Sequence, residues 1–125
     1  MAVAVADASA LAAIAFAEPA SDSVVVRIAG KAIAAPSILP YELANVAVTK
    51  QRRGHFSLEQ ASAALALVTN MGITLHSVAA EEILDAASLT GLTAYDASYW
   101  WLAHVLRAEW VTLDRNLENA FRKRS

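Results

Sequence analysis

Short β-branched runs alternating with longer helix-forming segments predict an α/β chain with three layers, α/β/α, around a central, mainly parallel sheet of four or five strands. Two observations carry this expectation. Apolar segments of strand length recur near Val3, after Gly30, after Gly72 and at Trp110, separated by stretches long enough for the crossover helix that a parallel connection needs. Residues that favour helix N-termini, Asp7, Thr93 and Asp114, stand where apolar runs or turns give way to helical patterns.

Taken in order, Val3 to Ala6 is β-branched at alternate positions and predicts a first strand ending at Asp7. Ala8 to Ala17 follows as a helix. Pro19 to Asp22 breaks the pattern, Ser23 to Ala29 adds one or two helical turns that Gly30 stops, and Lys31 to Ala35 is the second strand. Pro36, Ser37 and Pro40 mark the entry to a long helix reaching about Arg53, because proline is tolerated only in the first turn, where amide donors have no intrahelical partner. Ser57 and Gln60 have capping-box spacing and open a helix with apolar residues at Leu58, Ala61, Leu65 and Val68. Ile73 to His76 reads as a short third strand at an edge, and Ala79 to Leu89 as a helix ending near Gly91. Thr93 and Asp96 repeat the capping-box spacing at the head of a helix through Leu106 that is apolar on nearly every side and so expected to be buried. Trp110 to Leu113 is the fourth strand, and Asp114 leads into a final helix toward Lys123.

A length of 125 residues fits a single domain, 1–125. The formal charge of -2 excludes a global positive field, so binding to a polyanion must use local patches. The chain is 57% apolar with a mean hydropathy of +0.40, rich for a small soluble domain, which suggests that a partner covers part of the apolar surface. The first helix, with Leu11, Ile14 and Phe16, and the Ala-rich helix from Leu58 are the faces expected to support a homodimer. Cysteine is absent, which excludes disulfides, thiolate catalysis and zinc–thiolate sites. The longest apolar stretch, Ala8 to Ala17, is too short to span a bilayer, and Met1 to Ala6 lacks the basic start of a signal peptide. The expectation is a cytoplasmic protein with no membrane association.

Asp7, Glu42, Asp96 and Asp114 each lie where the chain enters a helix, and the predicted topology places Asp7 and Asp114 on the rim where ligands of parallel sheets bind. Each also has a bland explanation. Asp7 and Asp114 suit N-caps, Asp96 suits the third position of a capping box, and Glu42 with Asn45, Thr49 and Arg52 suits a solvated stripe. Asp96 nevertheless heads an apolar helix and shares a face with Tyr99, Trp100 and Ala103, where an unpaired carboxylate is costly to desolvate. Carboxylates brought together repel unless they are protonated or bridged by a cation, so convergence of the four would point to a hard divalent ion.

The strings Val5-Ala6-Asp7-Ala8-Ser9-Ala10-Leu11, Pro40-Tyr41-Glu42-Leu43-Ala44-Asn45, Leu92-Thr93-Ala94-Tyr95-Asp96-Ala97-Ser98-Tyr99 and Val111-Thr112-Leu113-Asp114-Arg115-Asn116-Leu117 resemble, in order and interval, the PIN-domain ribonucleases, in particular the VapC-type toxins of bacterial toxin–antitoxin pairs. The resemblance runs nearly end to end. It implies a PIN-like α/β/α fold whose acidic quartet binds Mg2+ or Mn2+ and cuts single-stranded or loop RNA, held inactive by a cognate antitoxin protein. Asp7, Glu42, Asp96 and Asp114 match the family's acidic positions, and Ser9 matches a hydroxyl often found beside the first.

On that basis Asp7, Asp96 and Asp114 are expected as metal ligands and Glu42 as the group that orients or deprotonates the attacking water. Ser9 and Thr112 are supporting hydroxyls, and Ser9 suits a helix cap equally well. Lys50, Arg52, Arg53 and Arg115, with Arg122, Lys123 and Arg124 at the basic end, are candidate RNA phosphate contacts, although cations at helix C-termini also answer the helix dipole. Tyr99, Trp100, Trp101 and Trp110 suit base stacking or, more simply, the core. His55, His76 and His104 assemble no rival site, and the scattered glycines form no phosphate-cradling loop. The alternative reading is a non-catalytic PIN-like module that binds RNA or protein. A metal-dependent phosphatase ranks last, because its usual second Asp is replaced by Ser9.

Overall fold

The structure is a computed structural model and describes residues 1–123, so Arg124 lies outside the described residues. The elements are β1 (Val3–Ala6), α1 (Ala8–Ala15), α2 (Ser21–Ile28), β2 (Ala32–Pro36), α3 (Leu39–Arg52), α4 (Leu58–Thr69), β3 (Thr74–His76), α5 (Ala80–Thr90), α6 (Ala94–Val105), β4 (Glu109–Val111) and α7 (Arg115–Lys123). Every strand and helix expected from the sequence is present, with ends shifted by at most three residues.

The four strands form one sheet in the order β3-β2-β1-β4, and all three pairings are parallel. Ala4 pairs with Ile33 on one side and with Glu109 on the other, which makes β1 an inner strand. From β1 the chain steps outward through β2 to β3, then returns to place β4 on the opposite flank of β1. Right-handed crossovers therefore send α1 to α4 to one face and α5 and α6 to the other. The result is three layers, α/β/α, with the strand order reversing at β1. Parallel sheets open a crevice beyond the strand ends at such a reversal.

The core is the expected consequence of this layering. Ala4, Val5, Ala6 and Val111 of the inner strands are fully buried, as parallel strands covered on both faces must be. Helix α6 buries Ala97, Tyr99, Trp100, Leu102 and Ala103 against the sheet, and the Tyr99 and Trp110 rings stack at 6.2 Å. Helix α1 stops at Ala15, two residues short of expectation, because Ala17 adopts a φ of 50° while the Glu18 amide donates back to the Ala13 carbonyl at 2.9 Å. This is the Schellman closure, here made on alanine rather than glycine.

Three expectations are corrected. Pro36 does not belong to the entry of the long helix. It is the last residue of β2, beside His76 of β3, and the helix begins at Leu39 with Pro40 in its first turn. The first helix does not offer a spare apolar face, since Leu11 and Phe16 are buried in the chain's own core and Ile14 is half-buried. Thr93 and Asp96 make only half of a capping box. The Thr93 hydroxyl accepts from the Asp96 amide at 3.1 Å, whereas no return bond from the Asp96 carboxylate is present among the described residues. Aspartate is one methylene too short to reach back as the Gln60 side chain does to Ser57.

The contrast between inward and outward leucines gives a test of this layering. Leu11 is 0% exposed and Leu58 is 69% exposed. Leu11→Ala is expected to lower unfolding stability by about 2–5 kcal/mol, whereas Leu58→Ala should stay within about 0.5 kcal/mol of the parent. Urea denaturation of both variants measures the difference, and equal losses would contradict the placement of α1.

Candidate functional site

Asp7 follows β1 directly, where the chain must leave the sheet and start α1, and its buried carboxylate caps that helix by accepting from the Ala10 amide at 3.2 Å. The Ser9 hydroxyl donates to the same oxygen, Oδ1, at 2.6 Å. Ser9 Oγ in turn accepts from the Leu113 amide at 3.1 Å and lies 3.5 Å from the Thr112 hydroxyl. Thr112 Oγ1 accepts from the Asp114 amide at 3.2 Å. Two hydroxyls thus tie the end of β1 to the segment leaving β4, and the Arg27 guanidinium secures that segment by donating to the Thr112 carbonyl at 3.2 Å.

Asp114 caps α7, its Oδ1 accepting from the Asn116 amide at 2.9 Å and the Leu117 amide at 3.3 Å. The capping roles weighed for Asp7 and Asp114 are therefore both real. In each, the bonds fall on Oδ1, so Oδ2 has no hydrogen-bond partner among the described residues. One oxygen of each holds a helix while the other is left without a partner, in two residues that line the crevice.

Glu42 and Asp96 reach the crevice from the first turns of α3 and α6. The buried Tyr99 hydroxyl donates to Glu42 Oε1 at 2.7 Å. All four acids, with Ser9, Tyr99 and Thr112, line a single pocket of about 210 Å³. No ion pair among the described residues involves any of the four.

The electrostatics follow from that crowding. Burial raises the Glu42 pKa above its ordinary 4.5; the Tyr99 hydrogen bond opposes this, and the charges of Asp7 and Asp96 add to it. Burial likewise raises Asp96 above 3.8, against the Thr93 hydroxyl and with the charges of Asp7 and Asp114. Desolvation, and then donation to Glu42, push the Tyr99 hydroxyl far upward, so it remains a donor at any physiological pH. Each acid thus feels its neighbours across the pocket. Among the described residues, though, no three acidic or histidine side chains stand close enough to hold one metal ion as they sit. In kind the donors fit a hard cation, being carboxylate and hydroxyl oxygens without a competing ammonium or guanidinium.

The other sequence candidates divide. Arg115 adjoins Asp114 at the start of α7 and is exposed. Lys50, Arg52 and Arg53 do not join the site: they lie at the far end of α3, and Arg52 is about 15 Å along the helix axis from Glu42 at 1.5 Å per residue. Lys50 is moreover held by Glu18 at 3.1 Å and lies over the Phe16 and Phe56 rings. Arg122 pairs with Glu118 at 2.7 Å on the exposed side of α7. Tyr99, Trp100 and Trp110 are core residues, and Trp101 donates to Glu82 at 3.1 Å, so none of the four is a free stacking platform. His104 packs between Trp100 and Phe121. The role missed in the sequence is that of Tyr99, which shares a face with Asp96 there but is assigned to the core or to stacking and not to holding Glu42. Its spacing of three from Asp96 was the available signal, since i and i+3 share a helix face.

Two solved structures are similar over nearly the whole chain. The crystal structure of PAE2754 from Pyrobaculum aerophilum matches with a TM-score of 0.75 and 30% identity, covering 95% of this chain and 79% of that one. The crystal structure of Mycobacterium tuberculosis VapC20, described as a Sarcin-Ricin loop cleaving toxin, matches with a TM-score of 0.65 and 18% identity, covering 94% of each chain. No family model matches the sequence, and no curated protein matches it.

Two measurements probe the pocket without reference to activity. Tyr99→Phe removes the only hydrogen bond to the Glu42 carboxylate among the described residues and is expected to cost about 1–3 kcal/mol in urea unfolding, with no change in fold by circular dichroism. A pH series in chelator tests the crowding of the acids. Because folding raises the Glu42 and Asp96 pKa values, the native state binds protons more tightly at these two groups, so the stability they contribute is fully present below their ordinary values of 4.5 and 3.8 and is lost as pH climbs through the raised ones. The Tm of Asp96→Asn should therefore gain on the parent as pH rises toward neutrality. A gap that stays constant, or that opens toward acid, would contradict the raised pKa.

Proposed function

For a chain that belongs to the PIN-domain family and carries the VapC type of PIN fold, we propose a metal-dependent endoribonuclease that acts as the toxin of a toxin–antitoxin pair. The observation that carries this reading is the convergence of Asp7, Glu42, Asp96 and Asp114 on one pocket with no basic side chain to neutralise them. The likeness to VapC20 supports RNA as the substrate class and a cognate antitoxin as the inhibitory partner. A homodimer in the cytoplasm completes the reading. No helix among the described residues is long and apolar enough to cross a membrane.

In this mechanism Asp7, Asp96 and Asp114 would hold Mg2+ or Mn2+, Asp7 and Asp114 through the oxygen that their capping bonds leave available and Asp96 through a carboxylate that makes no capping bond. The bound ion supplies neutralisation of charge on the phosphodiester and acidification of water. Glu42, oriented by the Tyr99 hydroxyl, accepts the proton of the attacking water, and its raised pKa makes it a stronger base than an ordinary carboxylate. Ser9 and Thr112 keep the β1 and β4 ends in register so that Asp7 and Asp114 stay on the same wall. Arg115, next to Asp114, is the basic residue best placed to meet an RNA phosphate.

One observation favours the alternative, a non-catalytic PIN-like module that binds RNA or protein: the acids stand farther apart than a formed metal site requires. Two experiments separate the readings. Asp7→Asn or Asp96→Asn should cut the rate of RNA cleavage by about 100-fold or more, since even groups one step removed from a metal cost 10- to 100-fold. Chelator should abolish cleavage by the parent. Undiminished cutting in either case rejects the nuclease. In thermal melts, Mn2+ at about 100 times its dissociation constant should stabilise the parent by ~2.7 kcal/mol and leave Asp7→Asn unmoved. A parent protein indifferent to Mn2+ and Mg2+ would establish the non-catalytic module.

A further inference from the structure

Beside the acid pocket, across the first turns of α6, lies a second recess of about 260 Å³ beyond the carboxyl ends of β2 and β3. Its walls include the apolar side chains of Ile38 and Ile83, the hydroxyls of Ser37, Ser77 and Ser98, and the Tyr95 ring. The two cavities share a helix by simple rotation. Successive residues turn about 100° around an α-helix, so Tyr95 and Ser98 face the recess while Asp96 and Tyr99, one step on, face the acids. On the other side the first turn of α3 joins them, since the Glu42 amide donates to the carbonyl of Ile38 at 3.2 Å.

We propose that this recess is a nucleobase subsite, in which Tyr95 stacks on the base of a nucleotide next to the phosphodiester held at the acids. The proposal rests on the nuclease reading and adds to it the means of holding one base. Four features support it. Tyr95 is 62% exposed although it sits beside the pocket, which is unusual for an aromatic residue with only a structural task. The aromatic residues first considered for stacking are committed to the core or to Glu82, whereas the Tyr95 ring is exposed and lines this recess. The recess is too small for a drug-sized ligand, while its apolar walls and three hydroxyls match a planar ring with polar edges. Ser98 already donates to the Tyr95 carbonyl at 2.6 Å, so the hydrogen-bonding capacity left on its hydroxyl is that of an acceptor, which suits a base N–H. Because the wall offers hydroxyls and not charges, discrimination between bases rests on their edges.

The test uses a short single-stranded RNA with a non-cleavable linkage, binding to the full chain in Mn2+, with the parent, Tyr95→Ala and Tyr95→Phe compared. Base–aromatic stacking of about 1–3 kcal/mol converts to a loss of roughly 5- to 140-fold for Tyr95→Ala, with Tyr95→Phe near the parent. A second probe carries one abasic position beside the protected linkage. It should weaken the parent by a similar factor and leave Tyr95→Ala with little further to lose, because the two changes remove the same contact. The exposed position of Tyr95 keeps these variants folded. Parent-like RNA affinity in Tyr95→Ala overturns the subsite while leaving the nuclease standing. Additive losses from Tyr95→Ala and the abasic probe do so as well. Failure of the parent itself to bind RNA removes the subsite and the nuclease reading together. Unchanged RNA affinity with weakened binding of a copurifying inhibitor protein assigns the recess to a protein partner and also overturns the proposal.

Discussion

The reversal of strand order at β1 is the constraint on which the rest of the molecule depends. Helices after β1 and β2 pack on one face of the sheet, and those after β3 return across the other, so the carboxyl ends of β1 and β4 open into a gap that no helix among the described residues fills. Into that gap four acids project from four separate segments, and the charges of Asp7, Asp96 and Asp114 reach one another or Glu42 across it. A fold that selected only for stability would place apolar residues or an arginine there. Retaining uncompensated carboxylates works against the folded state, and such tension is expected where a site is built to receive a cation.

The chain limits this tension by giving its acids two tasks. Asp7 and Asp114 each engage backbone amides through Oδ1, which contributes about 1 kcal/mol of capping apiece and fixes the direction of the remaining oxygen. Glu42 is held by the Tyr99 hydroxyl, itself locked by stacking against Trp110 in the core. Ser9 and Thr112 bind the two strand ends together. The pocket is thus preorganised by groups that also stabilise the fold, and positional precision comes from helices and strands rather than from mobile loops.

The distribution of positive charge fits a protein whose formal charge is negative overall. Lys50 is spent on Glu18 and two phenylalanine rings, and Arg27 bridges to Glu109 at 2.8 Å while holding the Thr112 carbonyl. Arg27 therefore serves the site indirectly, by setting where the segment after β4 lies. A protein with so few free cations near its pocket gains little from nonspecific attraction to a polyanion. In the proposed nuclease, stacking and hydrogen bonding in the neighbouring recess would supplement it.

Local chemistry made most of the fold legible in the sequence. The strand at Val3, the capping box at Ser57 and the buried helix after Thr93 each declare themselves through spacing over a few residues, because propensity, capping and periodicity act at short range. The four acids could be singled out for the same reason: each marks a helix entry. Tertiary structure alone decided the rest. It drew Pro36 into a strand, where pairing with β3 outweighs a local preference for the helix entry. Packing against α3 and α4 turned the first helix inward, so that helix offers a partner no apolar stripe. It also made Tyr99 the anchor of Glu42 and left Tyr95, one turn earlier, facing a separate recess. Which side of a helix meets which neighbour depends on contacts between residues tens of positions apart, and no local pattern encodes those contacts.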